Sequence, residues 1–114
     1  MAKRSTRKTS TRKPAPKLPP VHPGEVLRHE FMVPLGLTAY RVAQDTGMPE
    51  SRVGAIIRGR RAVTAETALH LASYFGTSPE FWLNLQSRHD LAVAEDGSGE
   101  TIRRRVKPAP GEAA

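Results

Sequence analysis

The chain has 114 residues and no cysteine, which allows one small domain with tails and excludes disulfide frameworks and thiolate metal sites. Its formal net charge is +7, but residues 1–20 hold seven basic and no acidic side chains, whereas residues 21–96 hold seven basic and nine acidic ones. No apolar run approaches the ~20 residues that cross a bilayer. We therefore expect no membrane association and a cytoplasmic, nucleoid-associated protein whose excess basicity lies in its ends.

The N-terminal segment, residues 1–20, is rich in Lys, Arg, Ser, Thr and Pro and contains a single Leu. Such a segment buries no apolar face, so we predict that it is disordered. Two roles are open for it. It is either a solubilising tail or an arm whose cations follow DNA phosphates or enter the minor groove.

The folded domain is predicted to span residues 21–95 and to open with a helix from about Gly24 to Val33. Leu27 and Phe31 are four residues apart, so they lie on one face of that helix and are expected in the core. The sequence Pro34-Leu35-Gly36 is predicted to end it, since proline and glycine interrupt helices.

Residues 37–61 read LTAYRVAQDTGMPESRVGAIIRGRR, which predicts two short helices joined by a tight turn. Thr38 is a good N-cap for the first of them, and Gly47 is suited to end it in a left-handed conformation. Pro49 is predicted at the first position of the second helix. Gly54 inside that helix predicts a close approach of the two helices. The buried face of the second helix consists of Val53, Ile56 and Ile57.

Two helices joined by such a turn form either part of a small helical bundle or a helix-turn-helix, whose second helix enters the major groove of DNA. The polar face of the second helix favours DNA binding. The predicted base-reading residues are Glu50, Ser51, Arg52 and Ala55. The predicted phosphate contacts are Thr38, Arg41, Arg58, Arg60 and Arg61.

A fourth helix is predicted from Thr64 to Phe75, and a fifth begins at Ser78-Pro79, a cap followed by proline. The fifth helix concentrates Phe81, Trp82, Leu83 and Leu85 within five positions. Either all four are core, or some form a dimer interface, for which Phe81, Trp82 and Leu85 are the predicted residues. Residues 96–114 are polar and rich in glycine, proline and charge, so we predict a disordered tail there.

The segment GMPESRVGAIIRG is similar to the recognition-helix segment of phage repressor-type helix-turn-helix proteins. Its flanks, HPGEVLRHEFMVPLGLT and TAETALHLASYFGTSPEFWLNLQSRHDL, resemble the HigA/VapI antitoxin family, and the resemblance covers about Leu18 to Ala94. In repressor-type domains a Gln near the start of the second helix often braces a phosphate. This sequence has Ala39 there, so Thr38 and Arg41 are the expected substitutes.

The resemblance implies an all-α, compact five-helix repressor-like domain. It also implies a homodimer that binds double-stranded DNA at a palindromic operator, represses its own operon and neutralises a cognate ribonuclease toxin. Two alternatives remain: a solitary transcriptional regulator without a toxin, or mainly a toxin-binding protein with weak DNA binding. The four histidines show no metal-binding spacing and no phosphate-cradling glycine loop occurs, so no enzyme, cofactor or metal is expected.

Overall fold

Five helices and no strand occur in residues 20–111, the part of the chain that the computed structural model describes. They are α1 (Pro23–Val26, Leu27–Met32 and Val33–Leu35 in succession), α2 (Ala39–Thr46), α3 (Glu50–Ile57), α4 (Ala65–Phe75) and α5 (Pro79–Ala94, continued by Glu95–Gly99 and Glu100–Arg105). The predicted all-α, five-helix fold class is confirmed. Apart from its last residue, the predicted N-terminal arm lies outside the described residues.

The first helix ends within Pro34-Leu35-Gly36 as predicted, but it continues through Pro34 to Leu35, two residues beyond the predicted end at Val33. Residues Leu27–Met32 form a π-helical stretch, after which the N–H of Val33 donates to the carbonyl of Arg28, five residues back. This wider turn leaves room for the proline ring, which would contact the carbonyl four residues back in a regular α-helix. Gly36, with φ of 65°, ends the helix.

Three of the remaining helices begin at the capping residues that the sequence predicts. Thr38, Thr64 and Ser78 have extended backbones, and the hydroxyl of each accepts a hydrogen bond from the N–H three residues further on. Gly47 ends α2 with φ of 82°, also as predicted. Pro49 lies one position before the first residue of α3 and has extended backbone, so its predicted place inside the helix is wrong by one residue.

The C-terminal segment is helical as far as Arg105, which corrects the predicted disorder over residues 96–105. Glu95 and Arg103 form an ion pair along this extension. A Cβ at Gly99 would lie 2.7 Å from Oε2 of Glu95 and 2.9 Å from Nη2 of Arg103, so the glycine makes room for the pair. The extended α5 is about 40 Å long. Even so, no helix among the described residues combines the length and apolar character needed to span a membrane.

The core lies on the inner side of α3, where α1, α4 and α5 converge. Its most deeply buried side chains include Leu27 of α1, Val53 and Ile56 of α3, Leu71 of α4 and Trp82 of α5, each at most 1% exposed. Since burying each such side chain contributes roughly 1.5–3 kcal/mol, this packing fixes which side of α3 faces inward. The polar side of α3 consequently faces solvent.

Candidate DNA-binding site

The turn between α2 and α3 holds the two helices in a fixed relation. Met48 in the turn is 4% exposed and belongs to the core. The hydroxyl of Thr46 donates to the carbonyl of Val42 at 2.6 Å and accepts from the N–H of Met48 at 3.3 Å. The N-terminus of α3 follows directly, with Val53 buried beneath it. This arrangement presents the first turn of α3 to solvent.

The four residues predicted to read bases differ in exposure. Glu50 and Ser51 are exposed, whereas Arg52 and Ala55 are half-buried. The Nε of Arg52 is buried and has no hydrogen-bond partner among the described residues. Buried donors are usually satisfied, so this guanidinium has a donor that the protein itself does not use. Glu50 and Ser51 are accessible from solvent, and the roles of all four residues stay predictions.

A groove runs along the outer side of α3. It is lined by Ala39 of α2 together with Glu50, Ser51, Gly54 and Arg58. Gly54 is buried, and the close approach of α2 to it stays a prediction. A Cβ at Gly54 would meet the guanidinium of Arg58 first, 3.3 Å from Nη1 and 3.4 Å from Nη2. Ala39 is shorter than the glutamine of repressor-type domains, which leaves the groove open on the side of α2.

Three arginines predicted to contact phosphates follow α3 in the loop to α4. Arg58, Arg60 and Arg61 are all exposed, and none forms an ion pair within residues 20–111. Gly59, with φ of 75°, turns the chain between them, and the N–H of Arg60 donates to the carbonyl of Ala55 at 2.8 Å. The loop therefore carries three positive charges that are free to meet an anionic partner.

The predicted phosphate contacts at the start of α2 are part of a hydrogen-bonded chain. The hydroxyl of Thr38 accepts from the N–H of Arg41 at 3.1 Å. Oδ2 of Asp45 accepts from Nε of Arg41 at 2.9 Å and from the hydroxyl of Tyr74 at 2.6 Å. The hydrogen bond from Tyr74, with a smaller contribution from Arg41, lowers the pKa of the Asp45 carboxyl. Arg41 thus uses Nε within the protein, and its terminal nitrogens take no part in this hydrogen-bonded chain.

Sequence reasoning missed the contact that holds the C-terminal end of α3. A Cβ at Gly24 would lie 1.8 Å from the carbonyl oxygen of Ile56, so α1 meets α3 backbone to backbone. His22 caps α1, because its Nδ1 accepts from the N–H of Gly24 at 2.9 Å, and its ring centroid lies 5.0 Å from that of His89 on α5. Burial, followed by the charge of His89, lowers the pKa of His22. The sequence signal for this contact was the glycine itself, because alanine is favoured over glycine within a helix unless another group lies too close.

The loop of arginines is tied to α5 at its other end. The N–H of Val63 donates to Oε1 of Gln86 at 2.7 Å, and Nε2 of Gln86 donates to Oδ1 of Asp90 at 2.9 Å. Gln86 is 7% exposed, so this amide satisfies a buried backbone donor. No group of three His, Asp or Glu side chains suited to a metal ion occurs in the described part of the chain.

The structure corrects the prediction that Trp82 lies at a dimer interface. It is 0% exposed, and its Nε1 donates to the hydroxyl of Thr77 at 2.8 Å. Its ring fills the space between α1 and α4, which makes it core. Phe81 is 36% exposed and packs edge-on against Trp82 with ring centroids 5.0 Å apart. Leu85 is half-buried and lines a surface groove with Phe81. The interface role of these two residues stays a prediction.

The helix pair, the tight turn and the exposed polar side of α3 define a helix-turn-helix protein. Residues 29–82 match the family model described as helix-turn-helix. Virulence-associated protein I of Dichelobacter nodosus is 45% identical over 79 residues, an alignment that covers 69% of this chain and 73% of that protein.

Two solved structures carry the same fold. Pseudomonas aeruginosa antitoxin HigA with the higBA promoter is 37% identical with a TM-score of 0.76, and the match covers 78% of this chain and 97% of that one. Antitoxin GraA in complex with its operator is 38% identical with a TM-score of 0.77, and covers 87% of this chain and 100% of that one. The chain therefore belongs to the HigA/VapI-type antitoxin family of helix-turn-helix proteins, and the predicted resemblance is confirmed.

Proposed function

We propose that this protein is a dimeric, cytoplasmic antitoxin that binds a palindromic operator near its own gene and neutralises a ribonuclease toxin encoded beside it. The observation that carries the proposal is the first turn of α3. Glu50 and Ser51 are exposed there, opposite the buried Val53 and Ile56. Short polar side chains at this position reach base edges when the helix lies in a major groove.

Charge supports the same orientation. Arg60 and Arg61 follow α3 in an exposed loop, and Arg41 holds its terminal nitrogens free at the start of α2. Cations on both sides of a reading helix contact the phosphates that flank a major groove, which sets the register of binding. Two related antitoxins support an operator as the ligand, since one is described with a promoter and the other with its operator.

A two-fold dimer suits a palindromic site, because two copies of α3 must meet successive major grooves about 34 Å apart. We assign the dimer contact to Phe81 and Leu85 at the start of α5, where apolar surface remains exposed next to the core. The names of the relatives as antitoxins support a protein toxin as a further partner.

Fluorescence anisotropy with a duplex from the region upstream of the gene tests operator binding, with a shuffled duplex of equal length as reference. Ser51→Ala should weaken specific binding about fivefold, since it removes one hydrogen bond worth about 1 kcal/mol. Ser87→Ala is the matched control, because Ser87 is an exposed serine of α5, outside the helix-turn-helix, and its affinity should equal that of the wild type. Equal wild-type affinity for both duplexes would contradict sequence-specific binding.

The toxin is tested separately by co-expressing the tagged chain with the neighbouring reading frame. We expect a small basic protein to co-purify and to lose its ribonuclease activity in the complex. If the chain binds its operator but is recovered alone, the solitary regulator is the correct alternative.

A further inference from the structure

The position of Arg58 separates it from the other arginines of the loop. Its backbone N–H donates to the carbonyl of Gly54 at 3.1 Å, so it lies one turn beyond Gly54 on the same side of α3. A Cβ at Gly54 would be 3.3 Å from Nη1, 3.4 Å from Nη2 and 3.6 Å from Cζ of Arg58. The guanidinium therefore lies back along the helix, over the glycine, and points toward the N-terminal end of α3.

This direction places the guanidinium among the predicted base-reading residues. Arg58 lines the groove of α3 together with Glu50 and Ser51, and neither Arg60 nor Arg61 lines it. The other two walls are small residues, Ala39 and Gly54. A Cβ at Gly54 would be in tight contact with the guanidinium, which would have to move by a few tenths of an ångström.

The donors of Arg58 are not used within the described part of the protein. The ion pairs among residues 20–111 join Arg41 with Asp45, Arg103 with Glu95, and His89 with Asp90. Arg58 belongs to none of them and its residue is exposed. A guanidinium with its fork free, held on the outer side of a reading helix, matches the two adjacent acceptors O6 and N7 of guanine.

We propose that Arg58 reads a guanine base in the operator, in place of the phosphate contact predicted from the sequence, and that Gly54 and Ala39 are positioning residues for it. This inference rests on the proposed operator binding. The two roles can be distinguished by experiment. Loss of a phosphate contact lowers the affinity for every sequence alike, whereas loss of a base contact also changes which base is preferred.

The test measures relative affinities for a set of operator duplexes, each with one base pair changed. Arg58→Lys keeps the charge and removes the two-pronged donor geometry. Gly54→Ala keeps the arginine and places a methyl group against its guanidinium. We expect both variants to lose, at one and the same position, a preference for guanine of about tenfold. Arg60→Lys is the matched control and should retain the wild-type preference at every position.

Thermal unfolding of each variant shows that folding is intact, and Arg58→Lys alters only an exposed side chain. Wild-type base preferences at all positions in both variants would overturn the assignment of Arg58, and so would loss of the same preference in Arg60→Lys. If the wild type itself prefers no duplex over another, the proposed operator binding fails and this inference fails with it. A specific wild type with unaltered variants overturns the inference alone.

Discussion

Replacing Gly24 by alanine tests the packing that positions α3, because it acts on a contact between two backbones. The added Cβ would lie 1.8 Å from the carbonyl oxygen of Ile56 and 2.7 Å from its carbonyl carbon. Carbon and oxygen atoms normally stay at least about 3.3 Å apart, so α1 and α3 must separate by roughly 1.5 Å. Neither partner is the end of a flexible side chain, and no rotamer change relieves the overlap.

The cost of that separation follows from what lies around it. Overpacking costs about 1–3 kcal/mol and occasionally more. The movement also loosens Leu27 and Ile56, which are each 1% exposed. Alanine recovers at most about 1 kcal/mol through its higher helix propensity. Since the overlap is severe, we take the upper end of that cost and expect Gly24→Ala to lower the free energy of unfolding by about 2 kcal/mol.

Urea unfolding followed by the fluorescence of Trp82, the single tryptophan, measures this change. Gly97→Ala is the control, because a Cβ at Gly97 meets nothing within 4 Å. That substitution should leave the free energy of unfolding unchanged or raise it by up to about 1 kcal/mol. A Gly24→Ala protein within about 0.5 kcal/mol of the wild type would refute the backbone contact, since changes of that size are typical of open surface sites.

Three further substitutions test the surroundings of the site. Burial and the charge of His89 hold the pKa of His22 below 6.5, so the unfolded chain takes up the proton first on acidification. Stability is then complete above pH 6.5 and decreases below it. His22→Asn, which supplies a capping oxygen in place of Nδ1, should flatten that dependence in urea unfolding at a series of pH values. Gln86→Leu leaves the buried N–H of Val63 without its acceptor and should destabilise the fold by about 1–3 kcal/mol, and an unchanged urea midpoint would contradict that contact. Phe81→Ser should weaken dimerisation in sedimentation velocity while the monomer stays folded, and a dimer of unaltered affinity would remove Phe81 from the interface.

The sequence predicted best those features that depend on near neighbours in the chain. Thr38, Thr64 and Ser78 cap their helices because a hydroxyl and an N–H three residues away meet without help from the rest of the fold. Gly47 ends α2 for an equally local reason, its positive φ. Val53 and Ile56 are three residues apart, and this helical spacing was enough to predict which side of α3 is apolar and faces inward.

The predictions that failed depend on what lies opposite a residue in space. Trp82 and Phe81 are adjacent and both aromatic, so nothing in the sequence indicates that only Trp82 points between α1 and α4. At Gly54 the sequence did not indicate that the atoms nearest to an added Cβ belong to the side chain of Arg58. The helical extension contains Gly97 and Gly99. Their presence favoured a prediction of disorder, although Gly99 makes room for an ion pair.

Two glycines, Gly24 and Gly54, affect the position and the exposed side of α3. An alanine in place of a helical glycine generally gains about 1 kcal/mol of stability. At Gly54 the three atoms nearest to an added Cβ belong to the movable guanidinium of Arg58, the closest at 3.3 Å, so alanine there meets no backbone atom at shorter range. At Gly24 it would meet the backbone of Ile56, so the fold itself requires glycine. The two glycines therefore have different roles. Gly24 lets α1 pack against the C-terminal end of α3, and Gly54 leaves space beside the guanidinium of Arg58, for which we propose a base contact.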